Sequence, residues 1–269
     1  VEPLSLLVAH DFTAVADAAT LHALHLARQL KAEVHLLHII KNDSEAAAAN
    51  QKFDEIKNKL ALKPWDPKLH THVKKGNIFN DIGNTAEQLK CMLIIMGTHG
   101  AKGMQKVFGS FAIKVINSTN IPFVIVQDKI PSESIKKIVF PVDTNKESLQ
   151  IVYMAATIAS QFNSEIIMVA PKEEDAALKT KLKVHIEVVK KQIEKRNVKH
   201  EIKLLEKTKA YHETVLDFAR QQQADMIAIS YFSDRLLPQF DPFAQSIITN
   251  KDKLPVLILT ASETGIGFF

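Results

Sequence analysis

Strand-length apolar runs recur along this chain, separated by longer stretches with helical spacing. The first half carries Leu4-Ser5-Leu6-Leu7-Val8-Ala9, Val34-His35-Leu36-Leu37-His38-Ile39-Ile40, Met92 to Met96 and Phe123-Val124-Ile125-Val126. Each run is nearly continuous instead of alternating, as expected of strands covered on both faces in a parallel sheet. A weaker strand is predicted over Lys68 to Lys74, where polar and apolar residues alternate as at a sheet margin. Between the runs, Val15 to Leu30 places Ala19, Leu26 and Leu30 at helical spacing, and Ile78 to Lys90 carries Ile82, Ala86 and Leu89. Strands alternating with helices of this length imply βαβ units with right-handed crossovers.

The second half repeats the order. Ile138-Val139-Phe140-Pro141-Val142-Asp143 answers Leu6 to Asp11, Glu165 to Ala170 answers Glu33 to Ile39, and Met226 to Ser230 answers Leu93 to Gly97. Ile121-Pro122-Phe123-Val124-Ile125-Val126 is answered by Leu254-Pro255-Val256-Leu257-Ile258-Leu259. So long a period marks a duplicated domain, since solenoid repeats run to roughly 20–50 residues. The polar, proline-containing stretch Lys129 to Ser134 suits a linker and divides the chain into 1–131 and 132–269. The expected fold class is α/β: two similar, mostly parallel, doubly wound sheets flanked by helices, with five strands per half.

Composition narrows the function. The 34 basic and 30 acidic side chains are interspersed, which argues for solvated helix faces and against a nucleic-acid stripe. No apolar run reaches the roughly 18–20 residues that span a bilayer, so no membrane partner is expected. Val1-Glu2-Pro3 does not read as a secretory signal. Cys91 is the single cysteine and opens an apolar run, so a reduced, buried thiol and a cytoplasmic location are expected.

In an open α/β sheet, ligands bind beyond the carboxyl ends of the strands, where strand order reverses. Ala9-His10-Asp11, Ile39-Ile40 and Met96-Gly97-Thr98-His99-Gly100 arrive there. Gly97 and Gly100 let backbone amides approach a ligand, and Gly109-Ser110 precedes a helix expected over Phe111 to Asn117. That helix start offers unpaired N–H groups and the positive dipole end, which favour phosphate. Ser110 can equally be a plain helix cap.

Gly97-x-x-Gly100, a spacer and Gly109-Ser110, after a strand ending in Met96, resembles the nucleotide loop of the universal stress protein family. Asp11 and Leu36-Leu37-His38-Ile39 look like that family as well. The resemblance covers the whole chain, once per half. It implies a tandem member with an adenine-nucleotide alpha-hydrolase-like fold and a stress-response role. In family members that bind ATP, the first-strand aspartate sits by the adenosine, the second strand's end covers adenine, and the glycine loop holds ribose and phosphates. Carried over, the resemblance assigns an adenine nucleotide (ATP, ADP or AMP) to Ala9, His10, Asp11, Ile39, Met96, Gly97, Gly100, Gly109, Ser110 and Phe111. Relatives often dimerise through their final strand. That implies an intramolecular pseudo-dimer here, in which Phe123 to Val126 and Val256 to Thr260 run antiparallel beside each other. The protein partner in the stress response is left unknown.

The chain departs from the family pattern in one place. Eight residues, Ala101 to Phe108, separate the second and third glycines where the family's ATP-binding pattern has nine. One residue fewer shifts a helix start by about 1.5 Å and turns it by roughly 100°. The second half has no glycine between Gly109 and Gly265, and its corresponding positions read Ser230-Tyr231-Phe232-Ser233 and Asp241-Pro242-Phe243. Pro242 lacks an N–H and Asp241 repels phosphate, so only the first half is expected to bind nucleotide. His70 and His72 share a strand face but need a third ligand from elsewhere; His35 and His38 point to opposite faces. The sequence shows histidine pairs only, so no metal is expected. His99, Lys102 and Lys106 flank the loop, and Trp65 reads as a packing anchor between helix and third strand. With no Walker lysine or Ser-His-Asp order, no catalytic residue is assigned. Three functions stay open: a nucleotide-binding regulator, a nucleotide-free interaction protein, and a slow ATPase.

Overall fold

The computed structural model describes residues 3–98, 108–132, 134–145, 149–206, 210–232 and 241–261. The chain divides into two compact units, Val1–Pro131 and Ser132–Phe269. In the first, β1 (Leu4–Ala9), α1 (Ala14–Leu30), β2 (Ala32–Ile40), α2 (Ala46–Leu60), β3 (Leu69–Lys75), α3 (Ile78–Gln88), β4 (Cys91–Gly97), α4 (Phe108–Ile116) and β5 (Phe123–Val126) follow in turn. The strands lie in the order β3-β2-β1-β4-β5, all parallel. Strand order reverses between β1 and β4, which opens a crevice at their carboxyl ends.

The second unit repeats the plan. It runs β6 (Lys137–Pro141), α5 (Val152–Phe162), β7 (Glu165–Pro171), α6 (Ala176–Glu194), β8 (Lys199–Leu205), α7 (Tyr211–Gln221), β9 (Met226–Phe232), α8 (Pro242–Ile248) and β10 (Val256–Ala261). Its strand order is β8-β7-β6-β9-β10, again parallel.

The continuous apolar runs became central strands for the expected reason. Leu6, Leu7 and Val8 of β1 and Leu93, Ile94 and Ile95 of β4 are fully buried between helix layers. The alternating β3 is half-exposed along its length. Cys91 is buried, and burial pushes its thiol up to about 12, so it stays protonated and inert.

Trp65 is not an anchor; it is 81% exposed. Asp66 does the anchoring instead. Its Oδ2 accepts from Lys63 N at 2.8 Å and its Oδ1 accepts from Arg28 Nε and Nη2 at 3.1 and 3.0 Å. With the turn held by that carboxylate, the indole is left facing solvent.

Burial lowers the pKa of His10, His22, His25, His35 and His72, with His35 brought from the ordinary 6.5 to about 4. The folded chain therefore keeps these rings neutral while the unfolded chain takes up protons below pH 6.5. Stability is present above that value and is lost as pH falls from about 6.5 towards 4. Melting temperature is expected to drop by on the order of 5 °C between pH 7 and pH 5 in a metal-free buffer. His22→Gln, which keeps a donor for the Lys129 carbonyl bonded at 2.9 Å, should reduce the slope. A melting temperature flat across that range would show that these rings titrate normally.

Candidate functional site

The turn after β1 builds one wall of the crevice. His10 N still donates to Leu37 O at 2.8 Å, extending the pairing with β2 by one residue. The buried His10 ring accepts from Phe12 N through Nδ1 at 3.0 Å and turns Nε2 towards Asp17 Oδ1 at 3.4 Å. Asp11 closes the turn: its Oδ1 accepts from Thr13 N at 3.1 Å and from Thr13 Oγ1 at 2.5 Å. Thr13 in turn caps α1 by accepting from Ala16 N at 3.4 Å. Phe12 takes up φ 64°, which swings its ring onto His38 at 4.4 Å and Phe53 at 5.0 Å. His38 donates from Nδ1 to His10 O at 2.7 Å, so in its neutral form Nε2 is the acceptor.

Behind this turn lies a cavity of about 250 Å³. Ala9, His10 and Asp11 line it after β1, Leu37, His38 and Ile39 from β2, and Met96, Gly97 and Thr98 at the end of β4. Val15 and Ala16 of α1, Ile78 and Ile82 of α3, and Ala112 and Val115 of α4 complete the wall. The lining is mostly aliphatic with a few polar groups, the character of a small-molecule site.

Six of the residues singled out in the sequence thus share one cavity: Ala9, His10, Asp11, Ile39, Met96 and Gly97. Gly100 lies outside the described residues, as do His99, Lys102 and Lys106. Gly109 and Ser110 do not precede the helix expected to start at Phe111. α4 starts at Phe108, so they occupy its first turn, and Ser110 as its third residue is not a cap. Their N–H groups remain among the four that an α-helix leaves without intrahelical partners.

Gly97 also has a different reason to be glycine than ligand approach. A Cβ there would stand 2.4 Å from Val15 O and 2.6 Å from Val15 C. What presses on Gly97 is the first turn of α1. The helix residues Val15, Ala16, Ile78, Ile82, Ala112 and Val115 were missed by motif spacing. The signal that could have found some of them is positional: Val15, Ala16 and Ile78 stand in the first turns of α1 and α3, at the end of the sheet where the preceding strands finish.

At the corresponding strand ends of the second unit, side chains hold the backbone amides. Asp241 caps α8, its Oδ1 accepting from Phe243 N at 2.8 Å and Ala244 N at 3.4 Å, and Pro242 opens the helix. A carboxylate therefore already holds the amides that would face an anion. Tyr211 stacks on Phe243 at 5.6 Å and donates to Val169 O at 3.1 Å. Burial raises the pKa of that phenol. Ser230, which answers Gly97, accepts from Ile151 N at 3.1 Å.

Residues 5–127 match the model of the universal stress protein family. A universal stress protein of Methanocaldococcus jannaschii is 29% identical over 132 residues, 44% of this chain and 78% of that protein. Universal stress protein G of Escherichia coli O157:H7 is 24% identical over 128 residues, 42% of this chain and 89% of that protein. The crystal structure of a universal stress protein from Archaeoglobus fulgidus superposes with a TM-score of 0.77 at 15% identity, covering 97% of this chain and all of that one. At that identity the likeness establishes the shared fold.

Proposed function

We propose that this chain, whose residues 5–127 match the universal stress protein family, is a regulatory module binding one adenine nucleotide in its first unit. The observation that carries the reading is the aliphatic cavity at the strand reversal, lined in part by Ala112 and Val115 of α4. In this reading the adenine lies between the end of β2, at Ile39, and the first turn of α1. Asp11 and Thr98 face the ribose, and the phosphates meet the backbone around Gly100, Gly109, Ser110 and Phe111. The second unit is a structural partner, because Asp241 occupies the amides that a phosphate needs. No nucleophile or general base is assigned, so the module binds without turning nucleotide over. Among the described residues no helix is long and apolar enough to cross a membrane. We place the protein in the cytoplasm on its single thiol.

Calorimetric titration of the full chain with ATP, ADP and AMP tests this reading. Trp65 does not line the cavity, so its fluorescence is a poor reporter. One site per chain is expected. Two equivalent sites would overturn the assignment of the second unit. No heat at millimolar nucleotide would favour the interaction-protein reading, which the shortened glycine loop suggests.

We also infer that the final strands β5 and β10 cover each other's edges, as an internal form of the dimer expected of single-domain relatives. An uncovered edge of aliphatic residues is an aggregation hazard, and Pro122 and Pro255 enter each strand where a missing N–H is tolerated. Val124→Pro is expected to yield a chain that aggregates on heating well before the native one, read by light scattering. Unchanged scattering and melting would rule the pairing out.

A further inference from the structure

Away from the cavity, four side chains converge where β2 meets β3. The register sets His35 opposite His70 and Leu37 opposite His72. Because side chains alternate along a strand, Glu33 and His35 share one face of β2, and His70 and His72 share the matching face of β3. His70 Nε2 lies 2.9 Å from Glu33 Oε2, and His35 Nδ1 lies 3.0 Å from His72 Nε2. The His35 ring stacks on His70 at 4.7 Å and on His72 at 5.2 Å. One ligand atom each from Glu33, His35 and His70 lies within 4.8 Å of the other two. The neighbouring strand thus gives His70 partners that the sequence alone did not show.

We propose that Glu33, His35 and His70 form a binding site for a divalent transition-metal ion of the zinc type, with His72 positioning His35. Two imidazoles and a carboxylate suit zinc and its neighbours, whereas magnesium and calcium prefer all-oxygen sets. Bonds of about 2.0–2.2 Å in a tetrahedron leave ligand atoms roughly 3.4 Å apart, so to close on an ion the cluster must draw in from its 4.8 Å span and the stacked His35 and His70 rings must turn towards a common point. His72 engages the Nδ1 nitrogen of His35, the kind of contact that fixes tautomer and ring orientation in metal sites. The site has an entry path, since the His70 side chain is 41% exposed. Lys68 sits 3.1 Å from the other Glu33 oxygen on a side chain 76% exposed, and can withdraw into solvent as the ion enters. The ion would clamp the edge strand β3 to β2.

Zinc and cobalt titrations of the untagged, chelator-treated chain provide the test. One equivalent of Zn²⁺ by calorimetry, a melting temperature raised by several degrees, and the intense visible bands of four-coordinate Co²⁺ are expected. His70→Asn, a change at the exposed ligand, should abolish all three while leaving the metal-free melt near that of the native chain. Glu33→Gln serves as the second ligand variant if that melt shifts. His72→Gln should retain the cobalt bands with affinity lowered about tenfold or more. The proposal is overturned if Co²⁺ shows only weak octahedral bands. It is equally overturned if both ligand variants bind zinc as the native chain does, since the ion would then sit on other histidines.

Discussion

Gly97→Ala is expected to destabilise the first unit by about 3 kcal/mol, the upper end of the usual overpacking cost. The added Cβ would stand 2.4 Å from Val15 O and 2.6 Å from Val15 C, both backbone atoms with no rotamer to move. Nor can the helix easily withdraw. Thr13 caps its start, and Val15 and Ala16 are buried against the sheet. The melting temperature of the first unit should fall on the order of 10 °C, followed by circular dichroism. Because Val15 and Ala16 also line the cavity, nucleotide affinity should decline with it. Ser230→Ala in the second unit is the informative contrast. It removes one hydrogen bond to Ile151 N and should cost only about 1 kcal/mol. A Gly97→Ala chain that melts like the native one would mean that α1 does not press on the end of β4.

Gly109→Asp is expected to lower nucleotide affinity at least a hundredfold, about 2.8 kcal/mol, with a melting temperature within roughly 2 °C of native. Gly109 lies in the first turn of α4, where a carboxylate favours the helix through its dipole yet opposes a phosphate at the same amides. The second unit already makes this change naturally. Asp241 takes Phe243 N and Ala244 N for itself. Affinity unchanged in the variant would show that any bound nucleotide does not use the start of α4. A large loss of stability would instead point to a packing role for Gly109.

The two variants separate what each glycine does, and that separation was not legible from spacing. Both residues sit in one motif, Gly97 read as a place of close ligand approach and Gly109 as a helix start that offers its amides. For Gly97 the neighbour turned out to be the backbone of α1, some 80 residues earlier in the chain. Trp65 failed for a related reason. An aromatic residue between a helix and a strand normally anchors them, but Asp66 already ties the turn to Arg28 and leaves the indole outside. The start of α4 fell three residues earlier than Phe111 because nothing in Phe108-Gly109-Ser110 forbids helix once the apolar face of Ala112 and Val115 docks.

The sequence by itself determined the strands, their helices and the duplication, because these depend on local period and on the burial of continuous apolar runs. Leu4–Ala9 and Phe123–Val126 form strands at the residues their composition marks. It also determined the contrast between the units at the reversal point, since a proline without an N–H and an aspartate that caps its own helix act within a few residues. Tertiary structure alone decided which side chains meet. Glu33 and His35 join His70 and His72 only through the β2–β3 register, and a register one residue away would turn one strand's set to the face opposite the other's. The cavity likewise exists because three strand ends and residues of three helices converge at the strand reversal. That convergence is a property of the sheet order, which joins residues from Ala9 to Val115 and is carried by no single stretch of chain.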